Sequence, residues 1–194
     1  MIELYTWSTP NGQKASIMLE EVGLPYRVHP IDIGKDHQFH SDFLAISPNN
    51  KIPAIVDTDN GLSLMESGAI LLYLAERTGK LWPQDFPTKW RVVEWLMWQM
   101  GGPGPFLGQV HHFVKFNPGK SPYAEERYTK EARRLWGVLD RRLGETEYAA
   151  GDSQRGRRCK GDGTCHRERA AFPCHDRPVG CSGTCCSYGR MPLT

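Results

Sequence analysis

The polar residues that could do chemistry in this chain lie at the starts of two predicted helices. Thr9 and Asn11 flank a proline at one helix start, and Glu66 and Ser67 stand at another. The free amide groups and the dipole of a helix N-terminus favour anions, and they lower the pKa of a thiol held there. The Thr9 hydroxyl and the Asn11 amide can also donate hydrogen bonds to a thiolate. The simpler interpretation is that Thr9, Glu66 and Ser67 only cap their helices.

The first 152 residues contain no thiol for such a site. All six cysteines come later in the sequence: Cys159, Cys165, Cys174, Cys181, Cys185 and Cys186. An oxidoreductase of the thioredoxin or glutaredoxin type needs a cysteine of its own, usually in a C-x-x-C motif. Any disulfide chemistry in this part of the chain must therefore use a thiol that a bound molecule brings.

The residues around the two helix starts predict a small α/β unit over residues 1–80. Four strands are indicated by β-forming and alternating apolar residues, at 2–7, 26–33, 54–57 and 62–65. Helices are indicated at 10–22, 39–46 and 66–78. Pro30 should keep the second strand away from the centre of a sheet. The order β-α-β-α-β-β-α is that of a thioredoxin-like domain.

A proline-punctuated linker at 81–87 separates this unit from a helical part at residues 88–152. Residues 89–100 are apolar on most faces, which predicts a buried helix that residues 101–105 break or kink. The helix resumes at 108–113, and a long helix follows at 123–143. We expect this part to be an incomplete all-helical domain.

The charge of the chain divides near Asp152. Residues 1–152 carry 16 Lys and Arg against 19 Asp and Glu, a net charge of −3, whereas residues 153–194 carry 8 against 3, a net charge of +5. No run approaches the roughly 20 apolar residues that span a bilayer, and the N-terminus has neither the basic region nor the apolar run of a secretory signal. Both absences favour a cytoplasmic protein that does not act at a membrane.

Several separated motifs of residues 1–152 resemble the glutathione transferase superfamily, and in particular its bacterial Nu class. They are Thr9-Pro10-Asn11-Gly12, the run from Ser47 to Ile55 that contains Lys51-Ile52-Pro53, Glu66-Ser67 with the run to Leu74, and the run from Gly108 to Phe113. The resemblance implies an α/β thioredoxin-like domain followed by an all-α domain. It also implies glutathione as cosubstrate, no metal, and a homodimer if the helical domain is intact.

The resemblance assigns parts of glutathione to particular residues of this sequence. The Ile52 backbone, before a cis peptide bond to Pro53, should pair with the cysteinyl part as an added strand would. The Ser67 amide and hydroxyl should bind the γ-glutamyl carboxylate, and Glu66 should accept from the γ-glutamyl amine. A plain proline turn and simple helix capping are the alternatives for these two motifs.

Three further cationic or amide side chains are glutathione-binding candidates by the same resemblance. Gln38 and Lys51 are loop donors near the expected glycyl end, although a solvated side chain is the commoner outcome for Lys51. Arg127 can reach a glutathione carboxylate, also across a dimer interface, or can form an i,i+4 salt bridge with an acidic neighbour. His111 and His112 diverge as adjacent helix residues, so that we expect no metal site there.

The sulfur of glutathione is the expected chemical centre. In the resembled class the positions of Thr9 and Asn11 contact this sulfur, so we predict both as catalytic residues. Tyr5 and Ser8 are rivals because other transferase classes use Tyr or Ser, although Tyr5 can simply belong to the core. Nu-class members are glutathione-dependent disulfide-bond oxidoreductases, which is the activity that we expect. The alternatives are conjugation of glutathione to electrophiles and a non-catalytic, transferase-like binding module.

Residues 153–194 depart from the resemblance. Family members continue with a Ser-x-x-Asp capping segment and a buried helix, whereas this Cys-, Arg- and Gly-rich tail has too few apolar residues for a helix core. We interpret it as disordered or read in a shifted frame, which would leave the apolar faces around Trp95 and Trp136 without a packing partner. Zinc binding is the alternative, but the cysteine spacing fits no common zinc motif. No nucleic-acid-binding module accompanies the basic charge.

Overall fold

Four strands form one mixed sheet in a computed structural model that describes residues 1–151. They are β1 (Ile2–Thr6), β2 (Tyr26–Pro30), β3 (Ala54–Asp57) and β4 (Leu62–Met65), in the spatial order β2-β1-β3-β4. β1 is parallel to β2 and antiparallel to β3, and β3 is antiparallel to β4. The edge position of β2 is the one that its proline predicts, because proline has no N–H for a second neighbouring strand.

Six α-helices lie between and after the strands of the described part. They are α1 (Pro10–Val22), α2 (Ser41–Leu44), α3 (Ser67–Thr78), α4 (Phe86–Gly101), α5 (Pro103–Val110) and α6 (Pro122–Glu145). Two 3₁₀ turns, Ile33–Lys35 and His37–Phe39, precede α2, and a π-helix at His111–Phe116 follows α5. The predicted order β-α-β-α-β-β-α is confirmed, and the fold is thioredoxin-like with helices after it.

The core lies between the sheet and the paired helices α1 and α3. Leu4 of β1 and Ile55 of β3 are partners in the antiparallel register, and both are fully buried. Leu19 of α1, together with Ile70 and Leu74 of α3, is fully buried against them. Each such side chain contributes about 1.5 to 3 kcal/mol by leaving water. This core fixes the positions of α1 and α3, and with them the two helix starts that carry the candidate residues.

A buried carboxylate connects the β3–β4 hairpin to α3. Asp57, at the end of β3, has no exposed surface and accepts hydrogen bonds from the Tyr73 hydroxyl and the Arg77 guanidinium group. The backbone amide of Asp59 donates to the same carboxylate at 3.0 Å. Because a buried charge is tolerated only when it is paired and hydrogen-bonded, these contacts hold α3 in one orientation on the sheet.

Several predicted element bounds need correction. β2 ends at Pro30 rather than residue 33, and α2 is a single turn at Ser41–Leu44 between the 3₁₀ turns and Pro48. The expected resumption at 108–113 is wrong in type, because α5 begins already at Pro103 and residues 111–116 are π-helical. Apolar residues spaced about four apart are compatible with both an α-helix and a short π-helix, so the sequence pattern does not distinguish the two.

The prediction that residues 89–100 form a buried helix is wrong for burial. α4 forms as expected, but none of its residues is buried among residues 1–151, and Trp90 and Met97 are 55% and 48% exposed. It packs mainly on α3 and α5 and is also contacted by Lys14 of α1, and these neighbours cover only part of an all-round apolar surface. Trp136 of α6 is 57% exposed, and it lines an apolar cavity of about 230 Å³ together with Trp95.

The predictions for the tail lie outside the described residues, and the bounds at 80, 88 and 152 remain predictions. Within residues 1–151, no helix is both long and apolar enough to cross a membrane.

Candidate functional site

A cavity of about 250 Å³ opens where the starts of α1 and α3 meet the loop before β3 and the junction of α4 with α5. Six of the residues predicted for binding line it: Asn11, Lys51, Ile52, Pro53, Glu66 and Ser67. Seven residues that the sequence did not predict as binding residues complete the wall: Lys14, Ser47, Asn49, Met65, Met100, Gly104 and Pro105. The cavity therefore joins segments that are far apart in the sequence.

The start of α1 is set by a capped and closely packed turn. Thr9 is the N-cap in an extended conformation, and its hydroxyl oxygen accepts from the amide of Gly12 at 3.2 Å. This bond uses an acceptor lone pair, so the hydroxyl hydrogen remains available as a donor. A Cβ at Gly12 would lie 2.3 Å from the Trp7 carbonyl oxygen and 2.4 Å from Thr6 Oγ1. Only glycine fits there, and its close approach to β1 holds Asn11 at the cavity wall.

The loop before β3 is pinned by a buried serine. Ser47 has no exposed surface, and its hydroxyl donates to the Lys51 carbonyl oxygen at 2.9 Å. The peptide bond between Ile52 and Pro53 is cis. Ile52 lies outside the sheet, because β3 begins only at Ala54. Among residues 1–151, neither its amide nor its carbonyl forms a hydrogen bond with another backbone group. The Ile52 backbone therefore lies at the cavity, and no described backbone group occupies its amide or its carbonyl.

The start of α3 combines a strained residue with a buried hydroxyl. Glu66 is the N-cap with φ 71° and ψ 115°, a conformation that residues other than glycine rarely adopt. Its carboxylate is 3.5 Å from the side-chain amide of Asn49, and its carbonyl accepts from Ile70 at 2.9 Å. Ser67 is only 5% exposed, and its hydroxyl donates to the sulfur of Met100 at 3.5 Å. Unusual backbone of this kind concentrates at functional sites.

Lys14 is the charged residue of the cavity that sequence reasoning missed. It lies three residues after Asn11 on α1 and is half-buried, with Nζ 3.3 Å from Gln99 Oε1 and 3.9 Å from Met100 Sδ. Burial lowers the pKa of the Lys14 ammonium group, and the charge of Glu66 opposes this effect. The i,i+3 spacing from Asn11 was an available signal, because such residues share a helix face. The contacts with α4 had no signal in the sequence.

Several predicted residues lie away from the cavity wall. Gln38 is in the second 3₁₀ turn, with Nε2 3.4 Å from Asp36 Oδ1 and a buried Oε1 that has no partner among residues 1–151. Arg127 is exposed on α6, where it faces the charge of Glu131 but forms no ion pair within 4.0 Å among the described residues. Thr9, the N-cap of α1, does not line the cavity either, although Asn11 two residues later does.

The two rivals for contact with a sulfur atom also lie outside the wall. The ring of Tyr5 stacks on His29 at 4.6 Å, and burial raises the pKa of its phenol group. Ser8 is exposed and precedes the cap residue. In the described part of the chain, no three His, Cys, Asp or Glu side chains form a group that could hold a metal ion.

Comparisons with known proteins match most of the described chain. The profile of the glutathione S-transferase N-terminal domain matches residues 9–77. The chain is 51% identical over 158 residues to disulfide-bond oxidoreductase YfcG of Escherichia coli (strain K12), covering 79% of this chain and 74% of YfcG. It is 44% identical over 160 residues to disulfide-bond oxidoreductase YghU of the same strain, covering 78% of this chain and 55% of YghU.

Solved structures that resemble this chain include glutathione transferases. A glutathione transferase family member from Pseudomonas fluorescens pf-5 with two glutathione bound has a TM-score of 0.75 at 48% identity, covering 78% of this chain and 70% of that one. A glutathione transferase from Pseudomonas putida with one glutathione disulfide bound per subunit has a TM-score of 0.73 at 45% identity, covering 78% and 68%.

Proposed function

Because this chain belongs to the glutathione transferase superfamily, we propose that it binds glutathione in the cavity between α1 and α3 and uses the thiol of glutathione to reduce or exchange disulfides. The observation that carries the proposal is the composition of the cavity wall. Donors at two helix starts, an acidic side chain and an Ile52 backbone unpaired within residues 1–151 meet there, while residues 1–152 contain no cysteine. Two similar proteins, YfcG and YghU, are named disulfide-bond oxidoreductases.

Each part of glutathione has a matching group in this cavity. The Ile52 backbone pairs with the cysteinyl part, Ser67 binds the γ-glutamyl carboxylate, and Glu66 accepts from the γ-glutamyl amine. The sulfur then lies at the start of α1, where Asn11 and the Thr9 hydroxyl donate to the thiolate. Both donors and the helix dipole stabilise the charged form of the sulfur, so that they lower its pKa toward neutrality.

The reaction proceeds by two thiol–disulfide exchanges. The bound thiolate attacks one sulfur of a disulfide, the S–S bond breaks, and the other sulfur leaves as a thiolate that takes up a proton. The product on the protein is a mixed disulfide of glutathione. A second glutathione thiolate attacks its glutathione sulfur, which releases the remaining substrate thiol and forms glutathione disulfide. Two relatives of known structure carry two glutathione molecules or one glutathione disulfide, which supports this stoichiometry.

The remaining predicted residues bind the ends of glutathione that lie farthest from the sulfur. Lys51 lines the cavity and supplies a cation for the glycyl carboxylate, and Gln38 contributes from the neighbouring turn. Arg127 is exposed on α6 and does not line the cavity of its own chain, which suits a contact with glutathione bound to a second copy. We propose a homodimer for this reason, and the cytoplasm as the compartment, since the reaction consumes reduced glutathione.

The test compares two reactions of the purified 194-residue protein. Reduction of hydroxyethyl disulfide by glutathione is followed through coupled reduction of the glutathione disulfide formed, and conjugation to a chlorodinitrobenzene electrophile is followed in parallel. We expect faster turnover of the disulfide. Asn11→Ala should lower kcat/KM for the disulfide about 10- to 100-fold, because a hydrogen bond to a charged sulfur is lost.

Gln13→Ala is the matched control, because Gln13 is exposed on α1 and does not line the cavity. It should retain the activity of the unsubstituted protein. Faster conjugation than disulfide reduction would favour the transferase alternative. Glutathione binding without either reaction would favour the non-catalytic binding module.

A further inference from the structure

We infer that Lys14 is an additional glutathione-binding residue, whose ammonium group binds the γ-glutamyl carboxylate beside Ser67. The inference rests on the proposed function, and it adds a charge to a subsite that otherwise offers this carboxylate only neutral donors. Lys14 lies on the face of α1 that carries Asn11, and both residues line the cavity together with Ser67.

The partners of Lys14 are too weak for a half-buried cation. Its Nζ contacts a neutral amide oxygen of Gln99 at 3.3 Å and a thioether sulfur of Met100 at 3.9 Å. Among residues 1–151, no carboxylate lies within 4.0 Å of it. A cation that loses water without a carboxylate in direct contact is costly, and a ligand carboxylate offsets this cost.

Two donors converge on the sulfur of Met100. The Ser67 hydroxyl lies 3.5 Å from this sulfur, and the Lys14 ammonium group contacts the same atom from α1. A thioether sulfur is a poor acceptor, whereas a carboxylate has two strongly accepting oxygens. One carboxylate between α1 and α3 would take both donors. Met100 packs closely on Gly68, where an added Cβ would lie 2.8 Å from Met100 Cγ. Because the methionine side chain is unbranched and flexible, it can shift when a carboxylate binds.

The charges around this point match an α-amino acid. Glu66 is close enough for its negative charge to act on the Lys14 ammonium group. The γ-glutamyl end of glutathione carries an ammonium and a carboxylate on the same carbon atom. Glu66 faces the first and Lys14 the second, so the pair distinguishes a free α-amino acid end from a ligand that lacks either charge.

The test uses glutathione and an analogue in which 4-aminobutyrate replaces the γ-glutamyl residue, so that only the α-carboxylate is missing. Binding of both ligands to the 194-residue protein is measured by calorimetry. Lys14→Met should weaken binding of glutathione about 10- to 100-fold and leave binding of the analogue within a factor of two or so. Lys14→Arg should retain most of the affinity, because it keeps the charge.

Lys35→Met is the control for loss of one positive charge, because Lys35 is 75% exposed and pairs with Asp32 outside the cavity. It should leave both affinities unchanged. Equal weakening of both ligands by Lys14→Met, or no weakening of either, would overturn the role of Lys14 while leaving the proposed function in place. Failure of the unsubstituted protein to bind glutathione would overturn both.

Discussion

Replacement of Glu66 by glycine should stabilise the fold while it weakens glutathione binding. Glu66 has φ 71° and ψ 115°, and it carries the carboxylate that we assign to the γ-glutamyl amine. A non-glycine residue in such a conformation costs about 1 to 3 kcal/mol. Glycine removes this strain but adds about 0.4 to 1 kcal/mol of unfolded-chain entropy. The expected net gain in the free energy of unfolding is therefore about 1 kcal/mol.

The affinity should change in the opposite direction. The carboxylate is exposed, and Asn49 at 3.5 Å is its described partner, so little native structure depends on it. Loss of one charge-assisted hydrogen bond at an exposed position corresponds to a decrease in glutathione affinity of about tenfold.

The comparison with Glu66→Gln separates the two effects, because glutamine removes the charge and keeps the strained backbone. Unfolding in urea, followed by tryptophan fluorescence, gives the stability of both variants, and calorimetry gives their affinities. Only Glu66→Gly should be more stable than the unsubstituted protein, and both variants should bind glutathione more weakly. A Glu66→Gly variant that is less stable than Glu66→Gln would refute the reasoning.

Three other predictions concern the scaffold of the site. Tyr73→Phe should lower the free energy of unfolding by about 1.5 to 3 kcal/mol, because buried Asp57 loses a donor; urea unfolding measures this. Gly12→Ala should destabilise the protein by about 2 kcal/mol and also weaken glutathione binding, because a Cβ would collide with a backbone carbonyl. The pKa of Glu3 lies below its ordinary value of 4.5, chiefly because His29 donates to it. This contribution to stability is complete above pH 4.5 and is lost as the pH falls below it. The urea concentration at half-unfolding should therefore decrease less steeply with falling pH in Glu3→Gln than in the unsubstituted protein.

The matched control for the glycine prediction is Gly108→Ala on α5, where an added Cβ meets no atom within 4 Å. Alanine favours a helix over glycine, so this variant should be as stable as the unsubstituted protein or slightly more stable. Equal destabilisation by both alanines would contradict the account of the α1 turn. A Tyr73→Phe variant within about 0.5 kcal/mol of the unsubstituted protein would contradict the account of the buried carboxylate.

Local signals in the sequence were sufficient to predict the order of strands and helices in the first eighty residues. Thr9 before a proline marked the start of α1, and Gly23, with φ 68°, marked its end. Pro30 indicated an edge strand, which the sheet order confirms. These residues act through their own backbone conformation, so no knowledge of distant packing was needed.

Features that depend on distant segments could not be predicted in this way. Lys14 has its role in the cavity wall because α4 brings Gln99 and Met100 against it, some 85 residues later in the chain. The apolar pattern of α4 predicted burial, but a pattern cannot show whether a covering segment is present, and Trp90 is 55% exposed in the described part. The family motif likewise places Gln38 near the ligand, and this stays a prediction, because Gln38 lies in the second 3₁₀ turn rather than in the cavity wall.

The central claim is that the cavity between α1 and α3 binds glutathione, and thermal unfolding of the 194-residue protein with and without glutathione disulfide tests it most directly. Ligand at about 100 times its dissociation constant should stabilise the protein by about 2.7 kcal/mol, which raises Tm by roughly 5 to 10 °C. A single cooperative transition that rises with ligand concentration is the predicted result. A transition that stays at the same temperature in the presence of ligand, or the absence of any cooperative transition, would contradict the claim.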